Sequence, residues 1–255
     1  MPFEKELEVA KEVAARAAAL AIEYQPGIVA EIKSDLSPVT AADRACEHLI
    51  STTLAEYFPD DGQIGEEGAG RESRNGRRWI IDPIDGTRDY VRGNPLWANL
   101  IALEENGTAV AGVVNLPLLG ATYWAARGEG AFRNGERMHV SSKSSISESA
   151  LCLNGFNFLN GVEFRSRLLD WMDGFWSIRG LGGAADAMLV AGGQAEIWIE
   201  PHAALWDLAP LQVIVEEAGG VFLNFDGGNN PGGGNCAVCA PGLEPELRKF
   251  LGLAG

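Results

Sequence analysis

The chain has 255 residues, 46% of them hydrophobic and 22% charged, and a formal net charge of −15. These fractions exclude a disordered chain, and the length allows one large domain or two closely packed halves. With 35 acidic against 20 basic residues the chain repels a phosphate backbone, which excludes nucleic-acid binding.

Residues 3–24 predict an amphipathic helix, because Phe3, Leu7, Ala10, Ala14, Ala17, Ala21 and Tyr24 recur at steps of four and three. Pro26-Gly27 ends it. A loop of turn formers over 33–40 leads to a second helix over 41–57, closed by Phe58-Pro59-Asp60-Asp61-Gly62. Trp79-Ile80-Ile81 reads as a short buried strand running into Asp82. Strands over 97–103 and 109–114 pair across Glu105-Asn106-Gly107, and another runs over 121–126. Asn134-Gly135 is a hairpin turn signal.

The Ser-rich stretch Ser141 to Ser149 predicts a boundary inside a single catalytic unit, 1–255. It divides residues 1–145 from residues 146–255. In the second half, strands at 150–154, 175–179, 195–200, 220–225 and 236–240 alternate with helices at 162–173, 183–191 and 207–218. That alternation predicts an α/β layered architecture. Asp226 to Asn235 reads as a flexible loop, since it lacks the Lys-Ser/Thr ending of a P-loop.

The four cysteines, Cys46, Cys152, Cys236 and Cys239, form no dense framework. The N-terminus has no signal-peptide core, and no apolar run approaches the ~18 residues that span a membrane. The expectation is a soluble, reduced, cytoplasmic protein. Cys236-x-x-Cys239 lacks the second pair of a structural zinc site and reads as two small residues in a buried strand.

Four acidic positions stand out by context: Glu66, Asp82, Asp85 and Asp207. Asp82-Pro83-Ile84-Asp85 follows a buried strand, and α/β folds place ligands at the C-terminal ends of such strands. Pro83 fixes φ and has no N–H, so a turn here aims both carboxylates into one space. They repel each other unless a cation lies between them, and magnesium takes such oxygen ligands. The Ile84 carbonyl adds a neutral ligand. Bound cations would also invert the local charge, which an acidic chain needs before it takes an anionic phosphate ester. Gly86 lets the backbone approach an oxyanion, and the Thr87 hydroxyl, bonded to a carboxylate, can orient an attacking water. Phosphoryl transfer needs mainly positioning and charge stabilisation, which two metals about 3.5–4 Å apart supply. By residue type alone, the segment also fits a tight, Asp-rich surface turn. Spacing does not place Glu66 or Asp207 beside it.

The motifs together resemble the inositol monophosphatase family. The matching pieces are Ser37-Pro38-Val39-Thr40-Ala41-Ala42-Asp43, Gly65-Glu66-Glu67, Trp79 through Thr87, and Trp206-Asp207 followed by Glu216-Glu217-Ala218-Gly219-Gly220. They stand in the family's order and cover essentially the whole chain. The resemblance implies an αβαβα sandwich, a homodimer, and magnesium as cofactor, two or three ions per site. It implies metal ligation by Glu66, Asp82, the Ile84 carbonyl, Asp85 and Asp207, with phosphate contacts from Gly86 and Thr87. It also implies that Asp43 helps Thr87 activate the attacking water, and that Glu200 contacts substrate. Tyr90 through Ala98, Glu200-Pro201 and Leu205 through Leu211 are most similar to the histidinol-phosphate phosphatases. That subgroup carries an aromatic-rich Gly-Asp-Phe-Trp stretch where this chain has Gly182-Gly183-Ala184-Ala185-Asp186. The small residues here look more like the inositol phosphatases.

Each site also has a plainer reading. Thr40-x-x-Asp43 is nearly a capping box, and one side chain is not expected to fill both that role and the catalytic one. Asp207 fits an N-cap of the helix from 207, with Pro210 in the first turn. Glu67 is second to Glu66 as a ligand. Asp186 and Arg179 are candidate readers of the substrate's polar groups, or surface residues. Trp97 is a candidate pocket wall, and His202 is placed near the site by its closeness to Glu200.

The expected activity is hydrolysis of a small phosphate monoester by in-line attack of a metal-activated water. Histidinol phosphate is the favoured substrate and inositol monophosphate the runner-up; sugar bisphosphates and adenosine bisphosphate rank lower. An inactive metal-binding regulatory protein is the rival from another class, and a magnesium enzyme of different chemistry is a third reading.

Overall fold

A computed structural model of the chain describes residues 3–34 and 36–253. The outer ends of the unit assigned to 1–255, and residue 35 in the loop predicted over 33–40, lie outside the described residues.

Helix α1 (Glu4–Tyr24) buries Leu7, Ala10, Ala14, Ala17 and Ala21 of the predicted stripe together with Val13, while Tyr24 at its end is exposed. A small antiparallel hairpin, β1 (Glu31–Ile32) and β2 (Pro38–Val39), stands where only a loop was expected. Helix α2 (Ala41–Tyr57) follows. An eight-stranded sheet is then built from β3 (Gly62–Gly65), β4 (Gly70–Arg71), β5 (Arg77–Asp85), β6 (Ala98–Glu105), β7 (Thr108–Leu116), β8 (Ala121–Ala126), β9 (Gly130–Arg133) and β10 (Glu136–Met138). Its order is β10-β9-β8-β7-β6-β5-β3-β4, antiparallel except for β3 beside β5. The short helix α3 (Thr87–Val91) interrupts it after β5. Both hairpin turns need positive φ, which Asn106-Gly107 and Asn134-Gly135 supply.

A second sheet of five strands is ordered β12-β11-β13-β15-β14. Its strands are β11 (Ala150–Leu153), β12 (Ser177–Arg179), β13 (Ile197–Glu200), β14 (Val221–Leu223) and β15 (Cys236–Cys239). Between and after them come α4 (Leu168–Met172), α5 (Gly183–Ala191), α6 (Leu205–Glu217) and α7 (Glu244–Leu251).

The layers run α1 and α2, large sheet, α5 and α6, small sheet, α7, which is the αβαβα sandwich expected. Three cores cement them. Ile81, Ile101 and Val113 face α1 and α2. Ile80, Leu100 and Val114 on the opposite face meet Leu208, Leu211 and Ile214 of α6, with Trp198 and Val238 beyond. Leu151, Ile197 and Ile199 close the far side against Phe164, Leu247 and Phe250. The central strands are buried on both faces and therefore read as apolar runs rather than alternation. Each fully buried Ile or Leu contributes about 1.5–3 kcal/mol. Helix α6 lies directly on β7: a Cβ on Gly112 would stand 2.7 Å from the Pro210 carbonyl oxygen.

Three expectations change. The helix predicted over 162–173 is largely 3₁₀ turn running into the five-residue α4. Phe164 is the one buried anchor in Glu163–Arg167, too little apolar face to hold an α-helix. Helix α6 begins at Leu205, so Pro210 lies in the second turn and removes an interior N–H. The strand β3 and helix α7 were not predicted; Gly62-Gln63-Ile64-Gly65 reads as turn by composition. No helix among the described residues is long and apolar enough to cross a membrane.

Candidate active site

The strand β5 extends past Ile81 through Asp85, with a register shift against β6 between Asp82 and Asp85. Two residues, Pro83 and Ile84, face the single residue Asn99 there, which is a bulge. Pro83 has no N–H to give the ladder, and its carbonyl instead accepts from Asn99 Nδ2 at 2.6 Å. Asn115 donates to Asn99 Oδ1 at 3.2 Å, and Thr122 donates to Asn115 Oδ1 at 2.9 Å. This largely buried polar chain across three strands fixes the bulge. It was not foreseen from sequence, because asparagines inside strands carry no local motif.

The bulge aims the carboxylates together. One oxygen from each of Asp82, Asp85 and Asp207 lies within 4.8 Å of the others. Each is tethered by a backbone N–H: Ile84 to Asp82 Oδ1 at 3.0 Å, Ala184 to Asp85 Oδ2 at 3.2 Å, Ala204 to Asp207 Oδ2 at 2.7 Å. Asp207 is therefore the third residue of α6, not the N-cap, and its carboxylate bonds back to the cap backbone. Burial pushes Asp82 well up from the carboxylate range, and Glu66, Asp207 and Asp85 push it further. Burial raises Asp85 to about 6, opposed by the Ala184 N–H. Burial and then Asp85 raise Asp207 to about 7. Three crowded carboxylates without a countercharge are unfavourable, and hard oxygen donors fit a hard divalent cation. The donor set present here fits magnesium on that ground.

Glu66 is not part of this group of three, although its charge acts on Asp82; its Oε1 is 2.8 Å from Lys33 Nζ, which also lies 2.7 Å from Glu67 Oε1. Burial alone would lower the Lys33 pKa; the two carboxylates outweigh it and hold the ammonium charged. Lys33 was read only as part of a loop. Buried Glu47 shapes the same corner by accepting from the Glu67 and Ala69 N–H groups at 2.8 and 2.7 Å. A Cβ on Gly65 would stand 2.3 Å from Glu47 Oε2, so the Gly-Glu-Glu turn needs its glycine.

Asp43 makes the helix cap and a contact to Thr87 at once, a combination not expected of one side chain. Its Oδ2 accepts from the Thr40 N–H at 2.8 Å and the Thr40 hydroxyl at 2.6 Å, completing the capping box. Its Oδ1 is left for the Thr87 hydroxyl at 3.2 Å. A carboxylate has two oxygens, and the two roles take one each. Burial raises the Asp43 pKa, opposed by the Thr40 hydrogen bonds. Gly86 adopts φ 80°, a left-handed conformation suited to glycine, and starts α3 so that Thr87 turns inward. The Thr87 hydroxyl also lies 3.2 Å from the Ile84 carbonyl.

The remaining candidates do not gather into one group. Glu200, at the end of β13, accepts from Asn154 Nδ2 at 2.7 Å, and burial raises its pKa to about 8. Asp186 is fully buried, and its carboxylate accepts from the Leu181 N–H at 3.1 Å and the Gly182 N–H at 3.2 Å. It holds the loop before α5 rather than presenting itself to a substrate. Arg179 is exposed and donates to the Ile178 carbonyl at 2.7 Å; among the described residues it touches no site residue. Trp97 is no pocket wall either: it is fully buried, edge-on to Tyr90 at 5.2 Å. His202 stacks on Phe158 with ring centroids 4.4 Å apart. All four cysteines are free and buried, Cys236 and Cys239 at the two ends of β15 and Cys46 and Cys152 at core positions.

The inositol monophosphatase family's sequence profile matches residues 3–250. This chain belongs to the inositol monophosphatase family. It is 44% identical over 218 residues to a histidinol-phosphatase of Mycobacterium tuberculosis, covering 84% of each chain. It is 37% identical over 191 residues to a fructose-1,6-bisphosphatase/inositol-1-monophosphatase of Thermotoga maritima, covering 74% of this chain and 72% of that one. Among solved structures, a Thermotoga maritima IMPase superimposes with a TM-score of 0.88 at 30% identity, covering 97% of both chains. Family membership makes the chain a phosphatase that hydrolyses phosphoric monoesters, and the family is magnesium-dependent in general.

Proposed function

We propose that the chain is a magnesium-dependent phosphatase acting on a small phosphate monoester, with histidinol phosphate as its first substrate. The observation that carries the reading is the meeting of the buried-strand carboxylates Asp82 and Asp85 with Asp207, beside the Thr87–Asp43 hydrogen bond. Glu66, Asp82, the Ile84 carbonyl, Asp85 and Asp207 would hold the two or three ions. Bound there, magnesium supplies positive charge to the phosphate and acidifies water. Gly86 and Thr87 would hold the phosphate through their backbone. Thr87 Oγ takes a proton from the attacking water as its own passes to Asp43 Oδ1. Burial raises the proton affinity of Asp43, which suits it to that acceptance. Glu200, oriented by Asn154, would hold a polar group of the alcohol.

Similarity to the histidinol-phosphatase of Mycobacterium tuberculosis supports the substrate. A second substrate, inositol monophosphate, is favoured by one observation: the rim at Gly182 to Ala185 carries no aromatic side chain. The single unit of two halves belongs to the same reading, supported by α6 of the second half packing on the first half's sheet to bring Asp207 to β5. So does a homodimer in a reducing compartment, supported by the exposed Trp176 and Leu169 and by the free cysteines.

The test is phosphate release from a panel of esters with and without magnesium. A higher kcat/KM for histidinol phosphate than for inositol 1-phosphate is expected. The reverse order overturns the substrate, and no release from any ester overturns the activity.

A further inference from the structure

Helix α3 carries a carboxylate that the chemistry above does not use. The Asp89 N–H donates to the Gly86 carbonyl at 2.8 Å, and its Oδ1 accepts from Asn94 Nδ2 at 2.7 Å. Its Oδ2 accepts no hydrogen bond among the described residues. That oxygen lies 3.8 Å from where a Cβ on Gly182 would stand. The next residue of the same strip, Gly183, would place a Cβ 3.5 Å from both oxygens of Asp85. Ala184 then donates its N–H to Asp85. The strip Gly182-Gly183-Ala184 thus runs from Asp89 to Asp85 with no side chain larger than a methyl. Arg88 and Arg92 on the same helix are exposed. Neither forms an ion pair with Asp89 among the described residues, although Arg92 acts on it from farther away.

A carboxylate this close to a phosphate site repels the ester dianion. The charges of Asp82, Asp85, Asp207 and Glu66 are offset by the cations they would hold. Asp89 stands outside that set and has no ion-pair partner among the described residues; Arg92 acts on it only from a distance, so a cation that the substrate brings would be its first direct ionic partner. An ammonium presents three donors and a full positive charge, and Oδ2, held in place through Asn94, is free to accept. A neutral hydroxyl could fill the same hydrogen bond but would leave the charge uncompensated.

We propose that Asp89 is a specificity-determining residue that binds an ammonium group on the alcohol part of the phosphate ester, so that the site selects amino-alcohol phosphates over neutral ones. This rests on the phosphatase reading above and names the substrate class of the same site. The experiment compares histidinol phosphate with the same ester lacking its amine, in the wild-type protein and in Asp89→Asn and Asp89→Glu. The wild type is expected to prefer the amine-bearing ester. Asp89→Asn lowers kcat/KM for that ester by about 10–100-fold, mainly through KM, as expected for loss of a charged hydrogen bond. It leaves the amine-free ester within about twofold, and Asp89→Glu recovers part of the loss. Three results overturn the inference: no wild-type preference, an equal fall on both esters, or no change on either. The wild-type comparison needs no variant to fold. If the wild type releases phosphate from p-nitrophenyl phosphate but shows no preference, only this inference falls. If it releases none from any ester, the phosphatase reading falls and takes the inference with it.

Discussion

The two rims of the site are built on opposite principles. On the metal side, Asp82, Asp85, Asp207 and Asp43 are each pinned by a named backbone N–H, and the bulge beneath them is held by the Asn99–Asn115–Thr122 chain. On the opposite side, Gly182 to Ala185 offer backbone and space; of the two buried carboxylates there, Asp186 points into the loop and Glu200 accepts from Asn154. Reaction chemistry needs charges fixed to a fraction of an ångström, and so leaves a dense motif. Selectivity, as proposed above, rests on the few polar groups beside that space, Asp89 and Glu200.

Substitutions separate the two rims, and the largest effect is on the metal side. Asp85→Asn is expected to lower kcat by about 10³-fold or more, since several kcal/mol of charge stabilisation are lost. The metal-free variant should melt no lower than the parent, because a crowded like charge has gone; a collapsed fold would mean the carboxylate is structural. Thr87→Ala should cost about 10²-fold in kcat, with Thr87→Ser restoring most of it. Equal losses in both would show that the methyl, not the hydroxyl, matters. Asn99→Leu leaves the Pro83 carbonyl without its partner and should cost about 1–3 kcal/mol, read by urea denaturation.

The pH dependence of the metal-free protein sharpens the comparison further. Burial raises Asp85 to about 6, Asp207 to about 7 and Glu200 to about 8. A carboxylate raised in the folded state binds its proton more tightly there than when unfolded. Its presence therefore favours folding below the ordinary carboxylate range and penalises it as pH rises toward the folded value. The metal-free Tm should fall by a few degrees between about pH 5 and pH 8, and magnesium should reverse the loss at pH 8. A flat profile would show that the carboxylates do not crowd one another. The smallest effect belongs to Arg179→Ala, expected within about 0.5 kcal/mol in stability and silent in kcat/KM.

Much of this was legible in the sequence. The spans of α2, β8 and α5 follow from periodicity and small-residue runs. The Asp-Pro-Ile-Asp segment declared itself by lying at the end of an apolar strand. What stayed hidden depends on distance along the chain. Lys33 meets Glu66 and Glu67 across 33 and 34 residues, and Asn99 meets Pro83 across a bulge that no local pattern marks. Asp186 misled because a polar residue beside glycines looks exposed, whereas its carboxylate is buried and accepts from the Leu181 and Gly182 N–H groups. Asp43 carries a capping box and a hydrogen bond from Thr87 at once, one on each carboxylate oxygen, which one-letter spacing cannot separate.

The most direct measurement is a calorimetric titration of magnesium into the metal-free protein near neutral pH, repeated on Asp82→Asn and Asp207→Asn. Saturable binding in the parent, lost or weakened at least tenfold in both variants while their folds persist, is the expected result. Equal binding in all three proteins would contradict a metal centre at Asp82, Asp85 and Asp207.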